Sequence, residues 1–282
     1  MDQKNISIII PAHNEEASIN RCLSALTRPN SDYKVQIIVV CNGCHDKTAD
    51  LVNAFDSTIT CLETEVASKS HALNLGDEVA TFYPRIYLDA DVILTIEAVN
   101  ALCLTLTDEK FLATSSCIKM DLDSSSWFVR AFYEVWLNLP YCKAGMIGSG
   151  VYALSKKGRE RFQKFPDIIA DDGYVRCLFT ESERPLTVDC YSTVTAPHDL
   201  MSLIKITTRS RVGCYELREK FPDLISNEAK NYQTALIDFL LNFKQWPKIM
   251  VYVGINIITR VRAKYQIIRK ITVWERDDSS RS

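Results

Sequence analysis

The run Arg85-Ile86-Tyr87-Leu88 ends in Asp89-Ala90-Asp91, two carboxylates one residue apart at the close of an apolar stretch. Such a stretch reads as a strand buried until its last residue, and in an open α/β sheet ligands bind at the carboxyl ends of the strands. Extended backbone sends residues two apart to the same side, so Asp89 and Asp91 share a face if the strand geometry continues. Two hard oxygen donors suit Mg²⁺ or Mn²⁺, and a divalent ion suits a diphosphate. A second acidic pair, Asp171-Asp172, follows Ile168-Ile169-Ala170, where a helical pattern begins. Adjacent carboxylates raise one another's pKa, which fits one of them to take a proton near neutral pH. Arg209 and Arg211 stand close together further on, and guanidinium forks suit phosphate oxygens. Each feature also has a plainer use. Asp-x-Asp is commonly a solvated turn, and paired acids commonly open a helix.

The elements that would position these groups follow an alternating pattern. Ile6-Ser7-Ile8-Ile9-Ile10 is a short buried strand, closed by Pro11, which cannot donate to a ladder. Asn14 is a candidate N-cap, with Glu15 and Glu16 at the positive end of the helix that follows. Ile19, Cys22, Leu23 and Leu26 give that helix one apolar face. The unit repeats as a strand over 35–40, a turn over 41–48, a helix over 48–55 and a strand over 58–62. A helix over 68–80, with Ala72, Leu73, Leu75 and Val79 inward, leads to the strand ending at Asp89. Beyond it the pattern predicts a helix over 95–106, an extended segment over 111–120 and a helix over 124–139. In that last helix Trp127, Ala131, Val135 and Trp136 either pack or border an acceptor. A glycine-rich stretch over 145–150, a strand over 151–154 and an edge strand over 186–196 follow. Strands alternating with helices predict an α/β fold: a mostly parallel sheet covered on both faces.

The chain has 282 residues, 47% of them apolar and 24% charged, the balance of an ordinary globular protein. Its charge is unevenly spread: residues 1–200 carry 18 Lys/Arg against 27 Asp/Glu, and residues 201–276 carry 14 against 6. A basic C-terminal quarter predicts an anionic partner, phosphate or a membrane surface, and no aromatic-rich motif points to nucleic acid. Cys41, Cys61, Cys103, Cys117 and Cys190 sit in apolar runs and read as core residues. With no charged-then-apolar leader, the expectation is a cytoplasmic setting.

Four stretches, taken in order, resemble the motifs of family 2 glycosyltransferases. Residues 11–16, Pro-Ala-His-Asn-Glu-Glu, are similar to the family's P-x-x-N-E start. Residues 39–48 are similar to its second strand and N-G-x-x-D-x-T turn, and residues 69–76 to its G-K-x-x-A-L-N-x-G helix. Leu88-Asp89-Ala90-Asp91 is then its D-x-D. The resemblance implies a GT-A fold, Rossmann-like, with a nucleotide-sugar donor and a divalent metal, Mn²⁺ or Mg²⁺. It implies that Pro11, His13 and Glu15 line the nucleoside pocket and that Asn42 reads the base where the family often has aspartate. A uridine nucleotide is the default donor. Lys69 would approach the base or diphosphate, Asp89 and Ala90 the donor, with Asp89 on ribose or metal and Asp91 on metal. Asp171-Asp172 resembles the family's E-D motif, with Asp172 as base. His198 would complete the metal site, as histidines do in some related enzymes, or serve structurally. The segment around Arg209 and Arg211 is similar to the basic segment that closes over the diphosphate. The glycine-bearing segment over 145–150 would lie beneath the donor sugar.

The resemblance divides the chain into a catalytic domain over 1–212, with a nucleotide-binding half over 1–120 and an acceptor half over 121–212. A basic helical extension over 213–276 and a disordered tail over 277–282 follow. The pattern over 248–274 reads as one helix, apolar and then basic, that either contacts an anionic membrane peripherally or packs on the body or a second subunit. Its longest apolar stretch is too short to span. The function implied is inverting, metal-dependent transfer of a sugar to a hydroxyl, on a saccharide or lipid-linked acceptor. A sugar-nucleotide pyrophosphorylase, or a non-catalytic scaffold at a membrane, are the alternatives.

Overall fold

The computed structural model describes residues 4–27, 33–140, 142, 145–146, 148–227 and 245–269. Residues 228–244 and 270–276 of the expected extension, the tail over 277–282 and Ile147 of the glycine-rich stretch lie outside the described residues.

Strands β1 (Lys4–Ala12), β2 (Tyr33–Asn42), β3 (Thr60–Thr64) and β4 (Arg85–Leu88) pair in parallel, in the order β3-β2-β1-β4. Helices α1 (Ile19–Leu26), α2 (Thr48–Phe55) and α3 (Lys69–Val79) make the crossovers. The sheet then continues through β7 (Val151–Leu154), antiparallel to both β4 and β6 (Ala113–Asp121), and ends with β8 (Leu186–Thr195) and β5 (Val92–Leu94). The strand expected over 58–62 lies at 60–64, and the extended segment over 111–120 lies at 113–121. A third is corrected: β8 is not an edge strand, because it pairs with β6 on one side and β5 on the other. The pairing with β5 covers only Ser192, Thr193 and Val194; Val188 and Asp189 are exposed where a bulge leaves them without a β6 partner.

The apolar runs are buried on both faces. Ile6, Ile8 and Ile10 enter a core beneath α1, α2 and α4 (Ile96–Thr105), while Ile9 enters the opposite core beneath α3. That second core continues to α6 (Lys156–Arg159) and α7 (Asp171–Cys177) through Phe162, Phe165, Tyr174 and Val175. At its rim Asp77 is held by Arg85 and Arg159, each at 2.6 Å, and accepts a hydrogen bond from Tyr87 at 2.8 Å. A third, smaller core joins α5 (Trp127–Trp136), α8 (Leu200–Lys220) and α9 (Trp246–Ile268). The basic segment around Arg209 is the middle of a 21-residue helix, started by Asp199, which caps it by accepting from the amides of Met201 and Ser202. The same helix runs through position 212, where the sequence places a boundary.

Two glycines set the geometry of the sheet's carboxyl edge. A Cβ on Gly76 would lie 2.4 Å from Ile9 Cγ2, so only glycine lets α3 settle this closely on β1. Gly150 has φ +62°, and a Cβ there would meet Val92 at 2.4 Å; its carbonyl accepts from the Asp89 amide at 2.8 Å. That contact fixes the backbone at the end of β4, where the first acidic pair begins.

Candidate active site

The carboxyl ends of β1 and β4, the start of α3, the glycine turn before β7 and the start of α7 surround one cleft of about 1160 Å³. Pro11, Lys69, Asp89, Asp91, Asp171 and Asp172 all line it. These residues are far apart in the chain. The crossover connections bring them together, because the parallel strands β1 and β4 arrive with their carboxyl ends on the same side, where antiparallel β7 begins.

Lys69 is the hub. It stands in the first turn of α3, where Ser68 caps the helix through the His71 amide. Its Nζ lies 2.7 Å from Asp89 Oδ1 and 3.0 Å from Asp171 Oδ1. One ammonium thus ties the first acidic pair to the second. Burial alone would lower the Lys69 pKa, but Asp171 and Asp89 outweigh it and raise it, so the charge is secure. Burial raises the Asp171 and Asp89 carboxyls against the opposing pull of Lys69; Asp172 adds to the rise at Asp171, and Asp91 at Asp89. Asp171 is buried, and its other oxygen, Oδ2, accepts from the Tyr152 hydroxyl at 3.3 Å. Asp172 is half-buried and accepts from the Gly173 amide at 2.7 Å, which leaves it pinned at the helix start with its carboxylate on the cleft.

The loop after β1 forms a second cluster beside Pro11. The side-chain amide of Asn42 donates to the Ala12 carbonyl at 2.9 Å, and His13 Nδ1 is 2.6 Å from the Asn42 carbonyl. Asn14 is not the N-cap the sequence predicts. It takes a left-handed conformation (φ +52°) and accepts from the His45 amide at 2.7 Å, while the helix begins at Ile19. Glu15 is buried, accepts from Ser18 at 2.6 Å and donates its amide to Thr48. So His13, Glu15 and Asn42 are brought together with one another, but they do not line the cleft itself. Cys41 and Cys44 flank Asn42 in a Cys-x-x-Cys spacing, and Cys41 Sγ is 3.9 Å from Cys61 Sγ. A hydrogen bond from Cys41, and one from the Asn14 amide, push the Cys44 thiol down to about 6 against its burial. Cys61 and Cys117 are half-buried rather than core residues.

Arg209 and Arg211 line the far side of the cleft from α8. Arg211 is held there: its Nε donates to Thr259 Oγ1 at 2.9 Å, and it also donates to Asn256, both on α9. His198 does not line the cleft; its carbonyl accepts from the Ser126 amide at 2.8 Å. Among the described residues no three His, Cys, Asp or Glu side chains converge as a ready metal cage. Asp89 and Asp91 open on one cleft, and two carboxylates fit an ion that completes its shell with waters and phosphate oxygens. Tyr133 and Trp136 of α5 also line the cleft, while Ala131 and Val135 are buried and Trp127 is exposed. Sequence reasoning missed Tyr152, which orients Asp171. Its signal was its place one residue into the strand after the glycine turn, opposite Tyr87.

A profile of Glycosyl transferase family 2 matches residues 7–150, just over half of the chain. The chain belongs to glycosyltransferase family 2. The curated relatives agree over shorter stretches. Glycosyltransferase AglE of Haloferax volcanii is 34% identical over 93 residues, 30% of this chain and 30% of AglE. Probable glycosyltransferase YdaM of Bacillus subtilis is 36% identical over 81 residues, 25% of this chain and 19% of YdaM. The matched stretches thus span less than a third of either relative. Among solved structures, mannosyltransferase PcManGT of Pyrobaculum calidifontis, in complex with GDP-Man and Mn²⁺, matches with a TM-score of 0.61 at 18% identity, covering 94% of this chain and 79% of that one. Glucosyl-3-phosphoglycerate synthase of Mycobacterium tuberculosis, with Mn²⁺, UDP and glucosyl-3-phosphoglycerate, matches at 0.54 and 20% identity, covering 77% and 79%. These likenesses establish the GT-A fold that the D-x-D and its neighbours imply.

Proposed function

We propose that this family 2 chain transfers a sugar, with inversion, from a nucleotide-diphosphate sugar to an acceptor hydroxyl. The acceptor is a saccharide or a lipid-linked one. The observation that carries the reading is the convergence of two acidic pairs, 89/91 and 171/172, on one cleft about a shared lysine. Asp91, with Asp89, would hold Mn²⁺ or Mg²⁺. Such an ion, when bound, offsets charge on a leaving diphosphate. The chain's own groups supply the remainder. Asp172 takes the proton of the acceptor hydroxyl as its oxygen bonds to the anomeric carbon from the face opposite the diphosphate, and the bond from that carbon to the diphosphate breaks. Lys69 opposes the rise that burial gives the Asp171 carboxyl, and Tyr152 fixes its orientation beside the base. Arg209 and Arg211 add positive charge where the diphosphate departs.

The donor is a uridine nucleotide by default; the two structural relatives carry GDP-mannose in one case and UDP in the other. A thermal-shift screen of UDP- and GDP-sugars, with and without Mn²⁺, decides between them. A ligand present at about a hundred times its Kd stabilises the native state by about 2.7 kcal/mol, so the true donor stands out. The expected result is a Tm rise of several degrees for one UDP-sugar with Mn²⁺. No rise with any nucleotide sugar would remove the donor from the proposal.

A further inference from the structure

Helix α9 is two-faced. Ile249, Ile255, Thr259 and Ala263 are buried against α5 and α8. On the other side Met250, Val253, Ile257, Val261, Tyr265 and Ile268 recur every three or four residues, and each is between 44% and 79% exposed. This is an apolar stripe at helical spacing, left exposed by the described residues. Arg260 and Lys264 lie along one border of the stripe and Arg269 along the other, and Trp246–Ile268 contains neither Asp nor Glu. Among the described residues no helix is long and apolar enough to cross a membrane. A one-sided stripe with cationic borders instead fits a helix lying in the plane of an interface.

The same face is continuous with the active site. Val253, Ile257, Arg260, Val261 and Lys264 line the cleft that holds the two acidic pairs. A second copy of the chain is a poor cover for this surface. Two such stripes facing each other would set arginines and lysines against arginines and lysines, with no acid on the helix to pair them. An anionic bilayer matches both features, since lipid tails accept the stripe and head groups accept the cations.

We propose that the exposed face of α9 docks on an anionic lipid bilayer and holds the mouth of the cleft at head-group level. Resting on the glycosyl-transfer reading, this assigns the acceptor to the lipid-linked class, with its hydroxyl presented from the membrane surface. Docking itself does not depend on transfer, so it is read without any sugar present.

The test is co-sedimentation of the full chain with vesicles of phosphatidylcholine alone and with 30% phosphatidylglycerol, at about 0.1 M and 0.5 M NaCl. The expected result is binding to the anionic vesicles at least about tenfold tighter than to neutral ones, and weakened several-fold by the higher salt. Met250→Ser with Ile268→Ser removes two of the most exposed apolar side chains, neither lining the cleft, and should lower binding about tenfold at unchanged Tm. Arg260→Glu with Lys264→Glu should abolish the preference for anionic lipid. Failure to bind either vesicle, equal binding to both, or binding indifferent to both double variants would each overturn the proposal. So would a dimer in sedimentation velocity that the Met250/Ile268 variant dissolves, because a second copy would then be the cover. A chain that binds no vesicle but is stabilised by a nucleotide sugar would lose the membrane and keep the enzyme.

Discussion

Asp172→Asn lowers sugar transfer by about a thousandfold or more and leaves donor affinity within about twofold. The size follows from removing a positioned general base, which contributes on the order of 10²–10⁴ in rate. The asymmetry follows from the site. Asp172 is half-buried at the start of α7, and its Oδ1 accepts from the Gly173 amide; the Asn carbonyl oxygen keeps that bond, so the helix start is undisturbed. Asp171 cannot step in, because one of its oxygens faces Lys69 at 3.0 Å and the other Tyr152 at 3.3 Å. Donor consumption followed with acceptor present measures the first quantity, and titration calorimetry with the donor the second. Wild-type turnover in the variant would take Asp172 out of the mechanism.

Lys69→Met has the second largest effect, and it falls on stability as well as on activity. The substitution keeps length and apolar stem but leaves Asp89 and the buried Asp171 facing each other without their shared cation. Breaking a buried ion pair from one side costs about 3–5 kcal/mol; Lys69 is partly exposed, so about 3 kcal/mol is expected. The cost depends on pH, and its sign is fixed. Burial already raises both carboxyls, and losing Lys69 raises them further. An acid whose folded pKa lies above its unfolded value binds more protons when folded, so it favours the folded state at low pH and penalises it as pH rises. The variant should therefore lie closer to wild type at pH 5 than at pH 8. Guanidinium melts at the two pH values measure this, and a deficit equal at both would mean that the two carboxylates are not what Lys69 compensates.

Much of the first half of the fold is legible in the chain because parallel strands buried on both faces have no room for polar residues. Ile8-Ile9-Ile10 and Ile37-Ile38-Val39-Val40 can be little else, and the acids that end such a run fall at the edge where ligands bind. The helix at 69–79 is legible through the spacing of Ala72, Leu73, Leu75 and Val79, and the resemblance placed Lys69 near the donor. What Lys69 touches was not legible. Its two partners come from β4 and from α7, about twenty and a hundred residues away, and only the crossovers bring them within reach. The place of β8 was illegible for a related reason. Its exposed residues fall at a bulge against β6, while the three residues of β5 that pair with Ser192, Thr193 and Val194 lie some hundred residues earlier. Arg211 illustrates a third limit. Its type suits phosphate, but what holds its guanidinium lies on α9, in Asn256 and Thr259, some forty-five residues later. Asn14 looked like a cap because its type favours caps; the same short side chain also tolerates the left-handed turn it occupies, and the turn prevailed.

The central claim is that the acids at the end of β4 receive a metal-bound nucleotide. Calorimetric titration of UDP into the wild type and Asp91→Asn, each with and without Mn²⁺, tests it most directly. UDP should bind the wild type at least about tenfold more tightly with Mn²⁺ than without, and the two affinities should be the same in Asp91→Asn. Affinities for the variant and the wild type that respond equally to Mn²⁺ would contradict it.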